Sequence, residues 1–264
     1  MEATTDTGFI PSNQERITQG PSKRLETAGR ILNVVAVVMV VACVALIFFF
    51  APAELTMGNV QRILYFHVGS AWVSSIAFFV ALVSGILYLR KPNRKWDIIS
   101  LASVEIGLAF TTMTIISGSV WGRPAWNTWW IWSPRLTSIT VMWLVYVAYF
   151  MLRGAIEDPE RRARFAAVYV IAGFVTVIFT FASIRLLRDI HPVVVGDAAS
   201  AAEAEGTSEF ASGLESARMG ITLLFSTLTF TALYLAWLVN RYRMEMNLEH
   251  VEALKLRTLA KLRG

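Results

Sequence analysis

Six long apolar runs constrain the fold of this chain more than any other feature. A helix needs about 20 mostly apolar residues to cross a bilayer, and the runs reach or approach that length. With 55% hydrophobic and only 16% charged residues, the chain has the composition of an integral membrane protein. The runs cover residues 31–51, 70–89, 99–119, 139–153, 166–184 and 219–239. We therefore predict an all-α, polytopic membrane protein with six transmembrane helices.

Lysine and arginine residues concentrate in alternate connections between the runs. Short connections rich in these residues stay on the cytoplasmic side of a membrane. Basic clusters follow the second and fourth runs, and further basic residues flank the two ends of the chain. In a six-span arrangement all of them fall on one side, so we predict that both termini are cytoplasmic. The predicted regions are a cytoplasmic N-terminal tail over 1–30, a six-helix membrane domain over 31–239 and an amphipathic cytoplasmic tail over 240–264.

Other features of the sequence limit the function classes. The net charge of +5 is explained by the basic connections and needs no nucleic-acid partner. The single cysteine, Cys43, excludes a disulfide or a thiol metal site within one chain. The polar stretch before the first run is too long for a signal peptide, so we interpret that run as an uncleaved span. The amphipathic tail either lies on lipid headgroups or docks a cytoplasmic partner.

A tryptophan-rich segment, residues 121–138, lies between the third and fourth runs on the predicted outer side. Tryptophan at a membrane boundary is ordinary, because the ring is apolar and its N–H favours the headgroup layer. Five of the nine tryptophans within twelve residues exceed what anchoring needs. We predict that they form an aromatic shelf for a large, flat, apolar ligand. The five are Trp121, Trp126, Trp129, Trp130 and Trp132.

His67 and His191 are the candidate metal ligands. The predicted topology places both on the outer side at similar depth, on either side of the tryptophan-rich segment in the sequence. Two imidazoles from opposite sides make a six-coordinate haem, and the chain has only one further histidine, His250 in the tail. A lone histidine at a membrane interface is usually structural or solvated, so that alternative stays open.

A haem site also needs cations, because haem carries two propionates. Arg62 lies five residues before His67, and Arg135 lies near the end of the tryptophan-rich segment. An arginine fork can bind a carboxylate through two hydrogen bonds. Snorkelling to lipid phosphates is the alternative for each arginine. Glu105, inside the third run, has either a helix-packing role or a functional one.

The tryptophan-rich segment has a specific likeness. WGRPAWNTWWIWSPRLTS resembles the "WWD" signature of the haem-handling proteins of cytochrome c maturation, and RILYFHVGSAW resembles the first histidine segment of their CcmC branch. Six spans, with one outer histidine before the signature and one after it, are similar to that branch. The likeness covers roughly residues 30–240. The related CcsA and CcmF branches are larger and carry further histidines within their spans.

The resemblance implies a function. His67 and His191 would be axial ligands of haem b, the five tryptophans would hold the macrocycle, and Arg62 and Arg135 would meet the propionates. The protein would bind haem at the outer face of the cytoplasmic (inner) membrane and present it to a haem chaperone, without being an enzyme. The implied partners are the lipid bilayer, CcmA- and CcmB-like ABC transporter subunits, a small single-span CcmD-like helper and a CcmE-like haem chaperone.

Two alternative functions stay open, and the sequence differs from the family signature at two positions. The chain is alternatively a CcsA- or CcmF-like haem lyase component, or a membrane electron-transfer protein that holds haem b. The family usually has Gly at the position of Asn127 and Asp at the position of Ser133. An Asp at position 133 could orient a neighbouring arginine or an indole N–H, so its loss affects the expected detail of the site.

Overall fold

Six helices long and apolar enough to cross a membrane make up this computed structural model. It describes residues 22–54, 57–187, 191 and 216–263. The predicted all-α architecture with six spans is confirmed. The helices are α1 (Lys23–Ala45, continued by a π-helical turn over Leu46–Phe50), α2 (Ile63–Arg90, preceded by a 3-10 turn over Asn59–Arg62), α3 (Arg94–Trp126), α4 (Pro134–Ala155), α5 (Pro159–Leu186) and α6 (Ala217–Arg263).

Four of the helices begin where the sequence provides a side-chain cap. An oxygen that accepts from a backbone N–H of the first turn satisfies a donor that has no partner within the helix. The capping residues are Ser22 for α1, Asn93 for α3, Ser133 for α4 and Asp158 for α5. In α4 and α5 a proline follows the cap directly, where its missing N–H costs nothing. These starts therefore follow from local sequence.

Helix α2 is the centre of the bundle. It packs most extensively against α3 and also contacts α5 and α6, whereas α1 lies at the periphery against α6. The ring of Phe78 on α2 stacks on Tyr146 of α4 with centroids 3.6 Å apart. A Cβ added at Gly107 of α3 would lie 2.8 Å from Phe78, so the glycine permits this close approach. The core thus holds α2, α3 and α4 together beneath the end of the bundle that carries the tryptophans.

A network of ion pairs lies at the other end of the bundle. Arg153 of α4 makes two hydrogen bonds, of 2.6 and 3.2 Å, to the Asp97 carboxylate of α3. Asp97 is 4% and Arg153 9% exposed, so the pair is buried. Glu105 makes a similar fork with Arg241 of α6, at 2.5 and 3.0 Å. Glu105 therefore has a helix-packing role, one of the two open possibilities.

Helix α6 is far longer than a membrane span. Its 47 residues correspond to about 70 Å at 1.5 Å per residue, against a hydrocarbon core of about 30 Å. The helix runs without a break through residue 240, where the amphipathic tail is predicted to begin. Arg94 braces this extension through Glu245 and Glu249, at 3.0 and 2.6 Å. Of the predicted N-terminal tail, residues 1–21 lie outside the described part of the chain.

The orientation in the membrane stays a prediction, and reporter insertions test it. We expect insertions at Lys91 and Glu157 to report a cytoplasmic location, because both lie in basic connections at the end opposite the tryptophans. Insertions at Ala125 and Ala202 should report an external location. An external signal at Glu157 would contradict the arrangement, and a full-length C-terminal fusion provides the matched cytoplasmic control.

Candidate functional site

A cavity opens between α2, α3, α4 and α5 at the tryptophan-bearing end of the bundle. It encloses about 910 Å³, including its open mouth. Its walls are mostly apolar, as expected for a site that takes an organic ligand. Six of the residues singled out in the sequence line it together: His67, Trp121, Trp126, Trp130, Arg135 and His191. The fold therefore gathers residues that are up to 124 positions apart in the chain (191 − 67).

The two histidine rings lie close together on the wall of this cavity. His67 lies in the second turn of α2, and His191 lies outside the helices, five residues after the end of α5. Their ring centroids are 6.1 Å apart and the ring planes are inclined by 34°. Two imidazole nitrogens that each bind one metal ion at about 2 Å place the centroids about 6 Å apart. The pair thus has the spacing of two axial ligands of a single metal.

The set of ligands favours a metal that is already bound in a ring. Within the described residues, no group of three or more His, Cys, Asp or Glu side chains is placed to hold a metal ion. Structural and catalytic zinc sites use three or more protein ligands. Iron in a porphyrin needs only two axial ligands, because the macrocycle provides the other four. Two neighbouring imidazoles in an apolar cavity therefore suit haem.

The tryptophans divide into two groups. Trp121 and Trp126 lie in the last turns of α3 and pack edge to face, with centroids 5.2 Å apart. Trp130 follows the end of α3 and lines the same cavity. Trp129 and Trp132 are 59% and 72% exposed and do not line it. The structure therefore places three of the five predicted rings on the cavity wall and two at the outer surface.

One indole N–H in the cavity wall has no acceptor among the described residues. The Nε1 atom of Trp130 is buried and makes no hydrogen bond there, although the ring as a whole is half-buried. A buried donor without a partner costs about 1–3 kcal/mol, so such donors are rare unless a water or ligand accepts from them. This N–H marks a place where a bound ligand with an oxygen acceptor would fit.

The two departures from the family signature are explained by backbone geometry. Asn127 ends α3 with φ = 55°, a left-handed conformation that Gly adopts freely and Asn tolerates better than most residues. Ser133 is the N-cap of α4, and its hydroxyl accepts from the N–H of Leu136. Asp is an equally good N-cap residue. Asn127 and Ser133 therefore preserve the local turns that Gly and Asp would make.

The two predicted cations lie in different places. Arg135, in the first turn of α4, lines the cavity and donates to the carbonyl of Thr180 on α5 at 3.1 Å. Arg62 is not among the cavity-lining residues, and its guanidinium lies 5.3 Å from the ring centroid of Phe48. The structure therefore brings Arg135 to the histidines and leaves Arg62 against the end of the first span.

The floor of the cavity has hydroxyl groups that the sequence interpretation did not single out. Ser74, Ser75 and Thr114 line it from within α2 and α3. Thr114 donates to Ser70 at 3.0 Å, and the hydroxyls of Ser74 and Thr111 are 2.6 Å apart. The available signal was the density of Ser and Thr inside the second and third apolar runs, since such residues bond helices together in lipid.

Comparison with known proteins assigns the family. Residues 18–257 match the family described as heme exporter protein C. The chain belongs to this family. A heme exporter protein C from Rhodobacter capsulatus is 30% identical over 241 residues, covering 90% of this chain and 95% of the relative. The relative of that name from Bradyrhizobium diazoefficiens is 32% identical, covering 78% and 74%. The one from Escherichia coli K12 is 33% identical over 144 residues, covering 54% and 59%.

Proposed function

We propose that this protein binds haem in the cavity described above and handles it during cytochrome c biogenesis. The observation that carries the proposal is the pair of imidazoles of His67 and His191, whose ring centroids lie 6.1 Å apart in an apolar cavity. Family membership supports it, since the relatives are named heme exporter protein C. The two histidines would bind the iron from opposite faces of the macrocycle.

The other residues of the cavity fit haem as a ligand. Trp121, Trp126 and Trp130 offer aromatic surface to a flat macrocycle. Arg135 offers a guanidinium for a propionate, and the unpaired N–H of Trp130 offers a second donor. Arg62 lies outside the cavity lining, so we assign it only the role of a more distant positive charge on the same side of the membrane. Trp129 and Trp132 are proposed to contact ligand or partner only where these approach from outside.

In this proposal the protein is a carrier and not an enzyme. Haem would be bound at the outer face of the inner membrane and presented to a CcmE-like chaperone. The CcmA-, CcmB- and CcmD-like proteins would be the partners in an ABC-type complex. The open mouth of the cavity supports this, because an acceptor needs access to an edge of the bound haem.

Histidine content distinguishes the carrier from an electron-transfer protein. A protein that passes electrons across a bilayer through bis-histidine haems needs ligand pairs at two depths. The full sequence has three histidines, of which His250 lies on the extension of α6 beyond the membrane core. The chain can therefore hold one bis-histidine haem at one surface, which supports the carrier over the electron-transfer alternative.

Titration with haem tests the proposed function. The full-length protein, purified in lipid nanodiscs, is titrated with ferric haem and followed by absorbance. We expect one haem per protein with the spectrum of a low-spin, six-coordinate iron. Empty nanodiscs provide the control, because haem partitions into lipid. Binding no greater than that of empty nanodiscs would overturn the proposal.

The two groups of tryptophans predict unequal effects on haem retention. An aromatic contact contributes about 0.5–1.5 kcal/mol beyond its buried area, or about a two- to tenfold change in affinity. Replacing Trp126 or Trp130 with Phe should therefore weaken haem binding modestly, and Ala at both should strongly reduce haem per protein. The matched Ala variant of Trp129 should retain haem, because this ring lies outside the cavity, whereas Trp132 packs edge to face against Trp130 at 5.8 Å and is not an independent control.

Haem per inserted protein is the deciding measurement. If the tryptophans only anchor helices, the double variant of Trp126 and Trp130 should insert poorly but carry normal haem in each molecule that inserts. Equal haem loss from the cavity pair and from Trp129→Ala would contradict the division into two groups.

A further inference from the structure

The ring of His67 packs against two consecutive small residues of α3, Ser117 and Gly118. Its Nδ1 atom lies 3.1 Å from Oγ of Ser117. A Cβ added at Gly118 would lie 2.9 Å from Cε1 and 3.4 Å from Nδ1 of the same ring, and real Cβ atoms essentially never approach closer than 3.0 Å. Glycine in mid-helix costs about 0.5–1 kcal/mol relative to Ala. Position 118 thus gives up helix stability to leave room for the imidazole.

The hydrogen bonds of Ser117 favour one position for the hydrogen on the His67 ring. A serine hydroxyl has one hydrogen to donate and two lone pairs. Oγ of Ser117 lies 2.7 Å from the carbonyl oxygen of Met113 and 3.2 Å from that of Thr114, and a carbonyl can only accept. The carbonyl of Met113 is the nearest acceptor for the hydroxyl hydrogen. With its hydrogen on that carbonyl, Oγ of Ser117 has a lone pair for Nδ1–H of His67, so this contact favours the tautomer with the hydrogen on Nδ1.

We propose that Ser117 and Gly118 are positioning residues for His67. With the hydrogen on Nδ1, the lone pair of the neutral ring lies on Nε2, which is then the nitrogen free to bind a metal. Metal-bound histidines almost always donate their other N–H to an acceptor, which sets the ring orientation and raises the basicity of the ligand. The link to haem rests on the proposed function, whereas the tautomer is a property of the protein alone.

The tautomer is tested in the haem-free protein by NMR of ¹⁵N-labelled histidine. The His67 signals are assigned by their loss in His67→Gln. We expect a protonated Nδ1 and an unprotonated Nε2 in the wild type, and a shift of population towards Nε2–H in Ser117→Ala. Ser117→Thr, which keeps the hydroxyl, should restore the wild-type pattern, and Ser119→Ala is the matched control. A wild-type His67 with its hydrogen on Nε2 would overturn the proposal, whether or not haem binds.

Haem binding tests the positioning role separately. Loss of an outer-shell partner typically weakens metal binding about 10–100-fold, and we expect this of Ser117→Ala but not of Ser117→Thr. In Ser117→Ala the midpoint potential of the bound haem should move in the positive direction, because a less basic imidazole stabilises ferric iron less. Gly118→Ala should shift the spectrum towards high spin, because the added methyl displaces the ring.

The outcomes separate the two proposals. Wild-type affinity and potential in Ser117→Ala, together with loss of low-spin haem in His67→Ala, would overturn the positioning role and leave the proposed function intact. Failure of the wild type and of every variant to bind haem would count against the proposed function, and the NMR result would still decide the tautomer.

Discussion

Replacing His67 or His191 with Ala is expected to abolish the low-spin, six-coordinate haem spectrum. Each change removes one of the two imidazoles in the cavity and leaves only one histidine there to bind the iron. Haem affinity should fall by more than the roughly 10–100-fold that loss of an outer-shell partner costs. Absorbance and electron paramagnetic resonance of the purified variants measure spin state, and haem titration measures affinity.

The matched control is His250→Ala, on the extension of α6. It removes the remaining histidine of the chain and should leave both spectrum and affinity unchanged. Added imidazole should partly restore the six-coordinate spectrum in His67→Ala, because the vacated space lies in an open cavity. An unchanged low-spin spectrum in both cavity variants would show that other groups bind the iron.

Of the single substitutions considered, Asp97→Asn is expected to cause the largest decrease in the free energy of unfolding. Asp97 and Arg153 are 4% and 9% exposed, and the substitution leaves the guanidinium buried without its full counter-charge. Removing one partner of a buried ion pair typically costs about 3–5 kcal/mol in the free energy of unfolding. Thermal unfolding in detergent should therefore show a clearly lower Tm than the wild type.

A double variant and an exposed control make this test specific. Arg153→Gln combined with Asp97→Asn should recover part of the lost stability, because neither charge then remains buried alone. Glu252→Gln, on the exposed part of α6, should change Tm little. Molecules of Asp97→Asn that remain folded should still show the low-spin haem spectrum, because the pair lies at the opposite end of the bundle. A wild-type Tm in Asp97→Asn would contradict the buried-pair argument.

The tryptophan-rich segment shows which structural features can be predicted from local sequence and which cannot. Its position between two apolar runs correctly predicts a boundary between helices, because hydrophobicity and caps act over neighbouring residues. The sequence does not show that α3 continues as far as Trp126, nor which indoles turn inward. Those directions depend on the left-handed residue Asn127 and on packing against α4 and α5. Ser133 likewise appears as a departure in sequence, whereas the structure identifies it as the cap of α4.

Contacts between residues that lie far apart in the sequence could not be predicted from it. Arg153 counts in the sequence only as one more basic residue after the fourth span, yet its partner Asp97 lies 56 positions away. Ser117, which contacts the ring of His67, lies 50 positions after it in the sequence. Helix periodicity cannot reveal such pairs, because each depends on the rotation of two helices about their axes.

The sequence alone determined that the chain forms six membrane-spanning helices, since about 20 consecutive apolar residues have few other stable states in lipid. It also determined the residue types available to a site: one histidine before and one after a tryptophan cluster. Only the tertiary structure decided that the ring centroids of His67 and His191 lie 6.1 Å apart, that three tryptophans line their cavity, and that Arg135 rather than Arg62 joins them. The physical reason is that a ligand cavity is a space left between packed helices, and its shape exists only after α2, α3, α4 and α5 have packed.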